Sequence, residues 1–106
     1  MTVRDVVLKA VARADIRNHV GYIAADSPSA AAKFELEFFD TVSRIRAFPN
    51  AGPTVRGYPG LRFVRVSSRF RRYLIIYRVD RTEIRIVRVL HSAMNVHREL
   101  SESDRS

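Results

Sequence analysis

The sequence predicts an α+β domain: a short N-terminal strand, an antiparallel helical hairpin, then a three-stranded antiparallel sheet. Three observations carry that expectation. Apolar residues recur at helical spacing between about residues 13 and 48, a turn-rich break follows, and three β-type runs come after it. Gaps of only a few residues separate those runs, which requires hairpins, because a parallel connection needs a dozen residues or more. The chain has 106 residues, 46% of them hydrophobic and 28% charged, so a single globular domain is expected rather than a disordered chain. The domain is read as residues 1–100, with 101–106 a polar, frayed tail.

Val6-Val7-Leu8-Lys9-Ala10-Val11 is a short apolar run that suits an initial strand. Ile16, Val20 and Ile23 then sit at i, i+4 and i+7, one stripe of a helix over about residues 13–25. Gly21 lies inside it and suggests close packing there. The second helix has the stronger signature. Ser27 is an N-cap type, Pro28 fits the first helical position, and Ala30, Ala31 and Ala32 are the best helix formers. Phe34, Phe38, Val42 and Ile45 form its core stripe, and Pro49 ends it. The link between the helices is so short that they must run antiparallel.

Asn50-Ala51-Gly52-Pro53 and Gly57-Tyr58-Pro59-Gly60 read as an irregular loop. Strands follow at Leu61–Val66, Tyr73–Val79 and Ile84–Leu90. The middle one is apolar on both faces and is placed at the centre. Its Tyr73 and Tyr77 read as core residues with hydroxyl partners. At Asp80-Arg81-Thr82 the register is open by one residue, and a slip would change which arginines share a face.

Charge is the unusual property. Nineteen Lys and Arg stand against eleven Asp and Glu, a net of +8, and 17 of the cations are arginine. Residues 1–50 carry seven basic and six acidic side chains, whereas 51–106 carry twelve and five, a net of +7 in the second half. Seven arginines lie from Arg56 to Arg78 with no acid among them. A solvated strand face is the plain alternative, but unrelieved like charge is costly and favours a surface for an acidic partner or a phosphate backbone. The binding candidates are Arg62, Arg65, Arg69, Arg71, Arg72, Arg78, Arg85 and Arg88.

Several chemistries are excluded. With no cysteine there is no disulfide framework, no thiolate metal site and no thiol nucleophile. His19, His91 and His97 are too scattered to suggest a metal site, so neither metal nor cofactor is expected. His19 falls opposite the apolar stripe of the first helix and is expected in solvent, and His97 is expected at the surface of a C-terminal helical turn. Met1-Thr2-Val3-Arg4-Asp5 is followed by no apolar stretch of signal-peptide length, and nothing approaches a membrane span, which points to the cytoplasm and no membrane partner.

Taken in order, seven segments resemble the ParE branch of the ParE/RelE toxin superfamily over about residues 10–95. They are Ala14-Asp15-Ile16, Tyr22-Ile23, Ser27-Pro28-Ser29-Ala30-Ala31, Phe48-Pro49, Gly60-Leu61-Arg62, Tyr73-Leu74-Ile75-Ile76-Tyr77-Arg78-Val79 and Arg88-Val89-Leu90-His91. The resemblance implies the toxin of a type II toxin–antitoxin (plasmid stabilisation) module, with the fold read above. It also implies a hetero-oligomer with a cognate antitoxin, whose acidic C-terminal segment wraps the toxin. For ParE-like members it implies DNA gyrase as the target, so that the protein acts by binding rather than as an enzyme. For RelE-like members it implies ribosome-dependent mRNA cleavage.

A metal-independent ribonuclease needs a base, phosphate-binding cations and an acid. Arg65, Arg78, Arg85 and Arg88 are candidates for the phosphate and His91 or His97 for the acid, but segment 54–78 has no lysine and no Glu/His/Tyr cluster. The ParE-like continuation after Leu90-His91 is a small residue, Ala, Arg and Asp; here it reads Ser92-Ala93-Met94-Asn95. Loss of that arginine and aspartate makes a weak or inactive homologue a further alternative.

Overall fold

A computed structural model describes residues 4–104. Strand β1 (Asp5–Leu8) leads into helices α1 (Ala10–Asp26) and α2 (Pro28–Ala47). Strands β2 (Thr54–Val55), β3 (Tyr58–Arg65), β4 (Tyr73–Val79) and β5 (Glu83–His91) follow, and α3 (Val96–Asp104) ends the chain. The class is α+β as expected, but the sheet has five strands in the order β1-β5-β4-β3-β2 and is mixed rather than wholly antiparallel. Among the described residues its only parallel ladder joins β1 to β5, from Asp5 opposite Glu83 to Leu8 opposite Ile86.

Local chemistry explains the hairpin. Ser27 Oγ accepts from the Ala30 N–H at 3.2 Å, Pro28 occupies the first turn, and Arg44 and Arg46 stand in the last turn, where the carbonyl end of the helix dipole favours cations. Phe34, Phe38, Val42 and Ile45 are buried in line along α2. On α1, Ala12, Ile16, Val20 and Ile23 turn to the same core. A Cβ on Gly21 would meet nothing within 4 Å, so close packing is not what glycine serves there.

The loop after α2 is more regular than its composition suggests. Thr54 and Val55 pair with β3 through a two-residue turn, in which Gly57 has φ of +85°. Gly52 is tightly held: a Cβ there would lie 2.5 Å from the Tyr77 hydroxyl and 2.7 Å from the Phe63 carbonyl oxygen. Tyr77 Oη donates to Pro49 O at 2.9 Å and accepts from Gly52 N–H at 3.3 Å, the hydroxyl partnership anticipated for a core tyrosine.

Two cores flank the sheet. Tyr73, Ile75 and Tyr77 of β4 face the hairpin with Ile84, Ile86 and Val89 of β5. The other face carries Leu61, Ile76 and Leu90 beneath Leu100 of α3. That helix runs through four of the six residues read as a tail, and its Leu100 is wholly buried. The irregularity in register lies inside β5 rather than at the turn. Ile76 faces Arg88 while Tyr77 faces Ile86, so Val87 is accommodated as one extra residue. This bulge carries Ile84, Ile86 and Val89 to one face although their spacing is not a strict alternation.

A candidate binding surface on the basic half

β1 stops opposite Ile86, leaving the next part of the β5 edge without a strand partner. Helix α1 fills that place with two side chains one turn apart. Asp15 Oδ2 accepts from Val89 N–H at 2.9 Å, and His19 Nε2 lies 2.7 Å from Val89 O. A carbonyl only accepts, so His19 Nε2 carries the proton and donates. His19 therefore faces the sheet rather than solvent, with its ring edge-on to Tyr73 at 4.9 Å.

Asp15 also takes Arg88, through Nε at 2.7 Å and the second guanidinium nitrogen at 2.9 Å. Glu99 of α3 adds a third contact, at 3.1 Å. Arg88 is only 7% exposed, and its hydrogen bond to Asp15 is the largest of the influences that raise its pKa. This arginine cannot present itself to a partner. It ties α1, β5 and α3 together.

The other candidate arginines fall into two groups. Arg62 donates to the loop carbonyls of Gly52 and Asn50 at 2.6 and 3.3 Å. Arg85 is exposed but sits between Glu83 at 2.8 Å and Asp80 at 3.4 Å, which raise its pKa, the hydrogen bond to Glu83 foremost. Arg65, Arg69, Arg71, Arg72 and Arg78 are exposed. Of these, Arg65 holds the Arg71 carbonyl at 2.6 Å and Arg69 has only a 3.8 Å pairing with Glu37. Arg65 lies opposite Leu74, and Arg78 follows Leu74 by four residues on the same sheet face. The two cations thus share a face but stand roughly 13 Å apart along the strand.

The two C-terminal histidines are separated. His91 ends β5, and its Nδ1 accepts from Ala93 N–H at 3.0 Å, leaving the proton on Nε2. Burial, then His19 and Arg72, lower its pKa, so it is neutral at neutral pH. His97 is exposed on α3 against the Tyr58 ring at 5.7 Å.

Between α2 and β3 runs a groove of about 380 Å³, walled by Ile45, Phe48, Val64 and Tyr77 with Arg44 and Arg65 at its rim. Phe48 is 70% exposed beside it. Val66 N–H goes to Tyr73 O and Phe63 N–H goes outward to Pro53 O. The intervening Arg65 backbone groups therefore point away from β4, and among the described residues no strand pairs with them. The groove thus adjoins an open stretch of sheet edge.

A family model described as "ParE toxin of type II toxin-antitoxin system, parDE" matches residues 6–96. The chain belongs to the ParE toxin family. No curated protein matches it. Among solved structures, one titled "Chromosomal ParDE TA system from P. aeruginosa" superposes with a TM-score of 0.69 at 22% identity, covering 84% of this chain and 96% of that chain. At such identity the likeness shows the ParE fold. Within this ParE-family chain no described helix is long and apolar enough to cross a membrane.

The sequence reading placed His19 in solvent and gave Asp15 no role of its own. Their i, i+4 spacing beside Ile16, Val20 and Ile23 was the available signal, since it puts both on the flank of the buried stripe. The Met94-Asn95 departure also acquires a structural reading. Asn95 Oδ1 accepts from Arg98 N–H at 3.1 Å and caps α3, a task that an aspartate would perform equally well there. Met94 packs against the second core.

Proposed function

We propose that this ParE-family chain is the toxin of a type II module, neutralised by a cognate antitoxin and inhibiting growth through DNA gyrase. The observation that supports antitoxin docking most directly is the groove between α2 and β3. It combines apolar walls, the exposed Phe48 ring, Arg44 and Arg65 at the rim, and unpaired backbone groups at Arg65. An extended acidic segment with apolar side chains at alternate positions matches all four features, by strand addition and charge. Arg69, Arg71, Arg72 and Arg78 enlarge the positive field around it.

Two features favour binding over mRNA cleavage. Arg88 is already occupied by carboxylates, and burial lowers the pKa of His91, which disfavours the imidazolium that a general acid would use. A supercoiling assay with purified gyrase tests the target. The full chain should inhibit supercoiling in a dose-dependent manner, and the antitoxin should restore it. Undiminished supercoiling at saturating toxin, together with cleaved transcripts in expressing cells, would replace the gyrase reading with the endoribonuclease one.

A further inference from the structure

At the end of the sheet where β4 starts and β5 stops, three segments converge. Helix α1 contributes His19 and Tyr22, the loop after β5 contributes Ala93 and Met94, and Tyr73 and His91 form the floor. They enclose an open cavity of about 410 Å³. The rings of His19 and His91 stand edge-on to Tyr73 at 4.9 and 4.8 Å, so the aromatic floor is fixed. Tyr22, by contrast, is 79% exposed and leaves a ring face open at the rim.

The hydrogen bonds already made decide what the two imidazoles can still offer. His19 spends its Nε2–H on Val89 O, which leaves Nδ1 as an acceptor. His91 spends Nδ1 on Ala93 N–H, which leaves Nε2–H as a donor. One donor and one acceptor thus border an aromatic floor, the pattern that a planar heterocycle with its own donors and acceptors can use.

Three arginines lie on the chain segment that leads into this cavity. Arg72 is joined to the loop after β5 by Ser92 N–H to Arg72 O at 2.7 Å, and it acts electrostatically on His91. Arg69 and Arg71 lie in the same β3–β4 connection and are exposed. Among the described residues, the carboxylate that approaches these three is Glu37, 3.8 Å from Arg69.

The geometry points to a single-stranded nucleic-acid site, in which the His19–Tyr73–His91 cavity receives a base, Tyr22 stacks on it or its neighbour, and Arg69, Arg71 and Arg72 hold the adjoining phosphates. An acidic peptide would use the arginines but has no planar group to match the cavity, whereas every nucleotide supplies both a π-face and a phosphate. The cavity is distinct from the α2–β3 groove, although the arginines also contribute to the field around that groove, and the site stands or falls independently of gyrase inhibition.

Fluorescence anisotropy of the full chain with a labelled 12-nucleotide DNA strand, over a series of salt concentrations, tests it. Tyr22→Ala removes an exposed side chain and should weaken binding by about tenfold with the salt slope unchanged. Replacing Arg69, Arg71 and Arg72 together by Ser should weaken binding and reduce the magnitude of the log–log salt slope by about 2. Polyglutamate of equal charge should compete poorly. Circular dichroism of both variants should match the parent. Affinity indifferent to Tyr22→Ala, or equal binding of polyglutamate, would overturn the base site and leave a surface selective for acidic protein. Absence of binding at low salt would overturn it entirely.

Discussion

Arg88 of β5 and Asp15 of α1 form a two-pronged ion pair at 2.7 and 2.9 Å, and the same carboxylate accepts the Val89 N–H. One aspartate thereby neutralises a buried cation and completes the sheet edge that β1 leaves open. The consequence is a strong asymmetry between losing one partner and losing both, because an orphaned buried charge costs far more than an ion pair contributes.

Asp15→Ala should therefore destabilise the fold by about 3–5 kcal/mol, read by chemical denaturation. Adding Arg88→Met should recover part of that loss, since the buried guanidinium left with Glu99 but without Asp15 disappears. Equal stability of Asp15→Ala and the parent chain would mean that the pair carries no such role.

Gly52 gives a second test. Any Cβ there meets the Phe63 carbonyl oxygen and the Tyr77 hydroxyl, so Gly52→Ala should cost about 1–3 kcal/mol by overpacking. Tyr77→Phe removes the hydroxyl that bridges Pro49 and Gly52 and should cost about 1–3 kcal/mol by leaving them unpartnered. Thermal melts of the two variants check both values.

The third concerns pH. The pKa of His91 is lowered in the fold by burial, with His19 and Arg72 adding repulsion. The unfolded chain then binds this proton more readily than the folded one. The stability linked to His91 is complete above the ordinary value of 6.5 and is lost as pH falls through the depressed folded value. Denaturation at pH 7.5 and 5.5 should show a smaller loss on acidification for His91→Gln than for the parent, and an identical loss would contradict the linkage.

A fourth follows from the open edge at Arg65. Arg65→Glu with Phe48→Ala should weaken capture of the antitoxin at least tenfold at physiological salt while leaving the fold intact, since both side chains are exposed. Unchanged affinity by calorimetry would move the docking site away from the α2–β3 groove.

These residues also show how far the sequence could be read. The hairpin and the three long strands were legible because Phe34, Phe38, Val42 and Ile45 repeat at helical spacing, and because the gaps force antiparallel neighbours. The parallel partnership of β1 with β5 was not, since residues almost eighty positions apart share no local pattern. The arginines were legible as charge but not as roles. Arg85 and Arg88 look alike in sequence, yet one is exposed and the other buried beside Asp15. The extra residue at Val87 and the early end of β1 make that difference, and both are tertiary facts.

The most direct measurement is growth after induction of the full chain, alone and together with the reading frame adjacent to its own. Arrest with the chain alone, relieved when both are expressed and restored by Arg65→Glu with Phe48→Ala, is the expected result. Unimpaired growth in cells that accumulate the folded chain would contradict its action as a toxin.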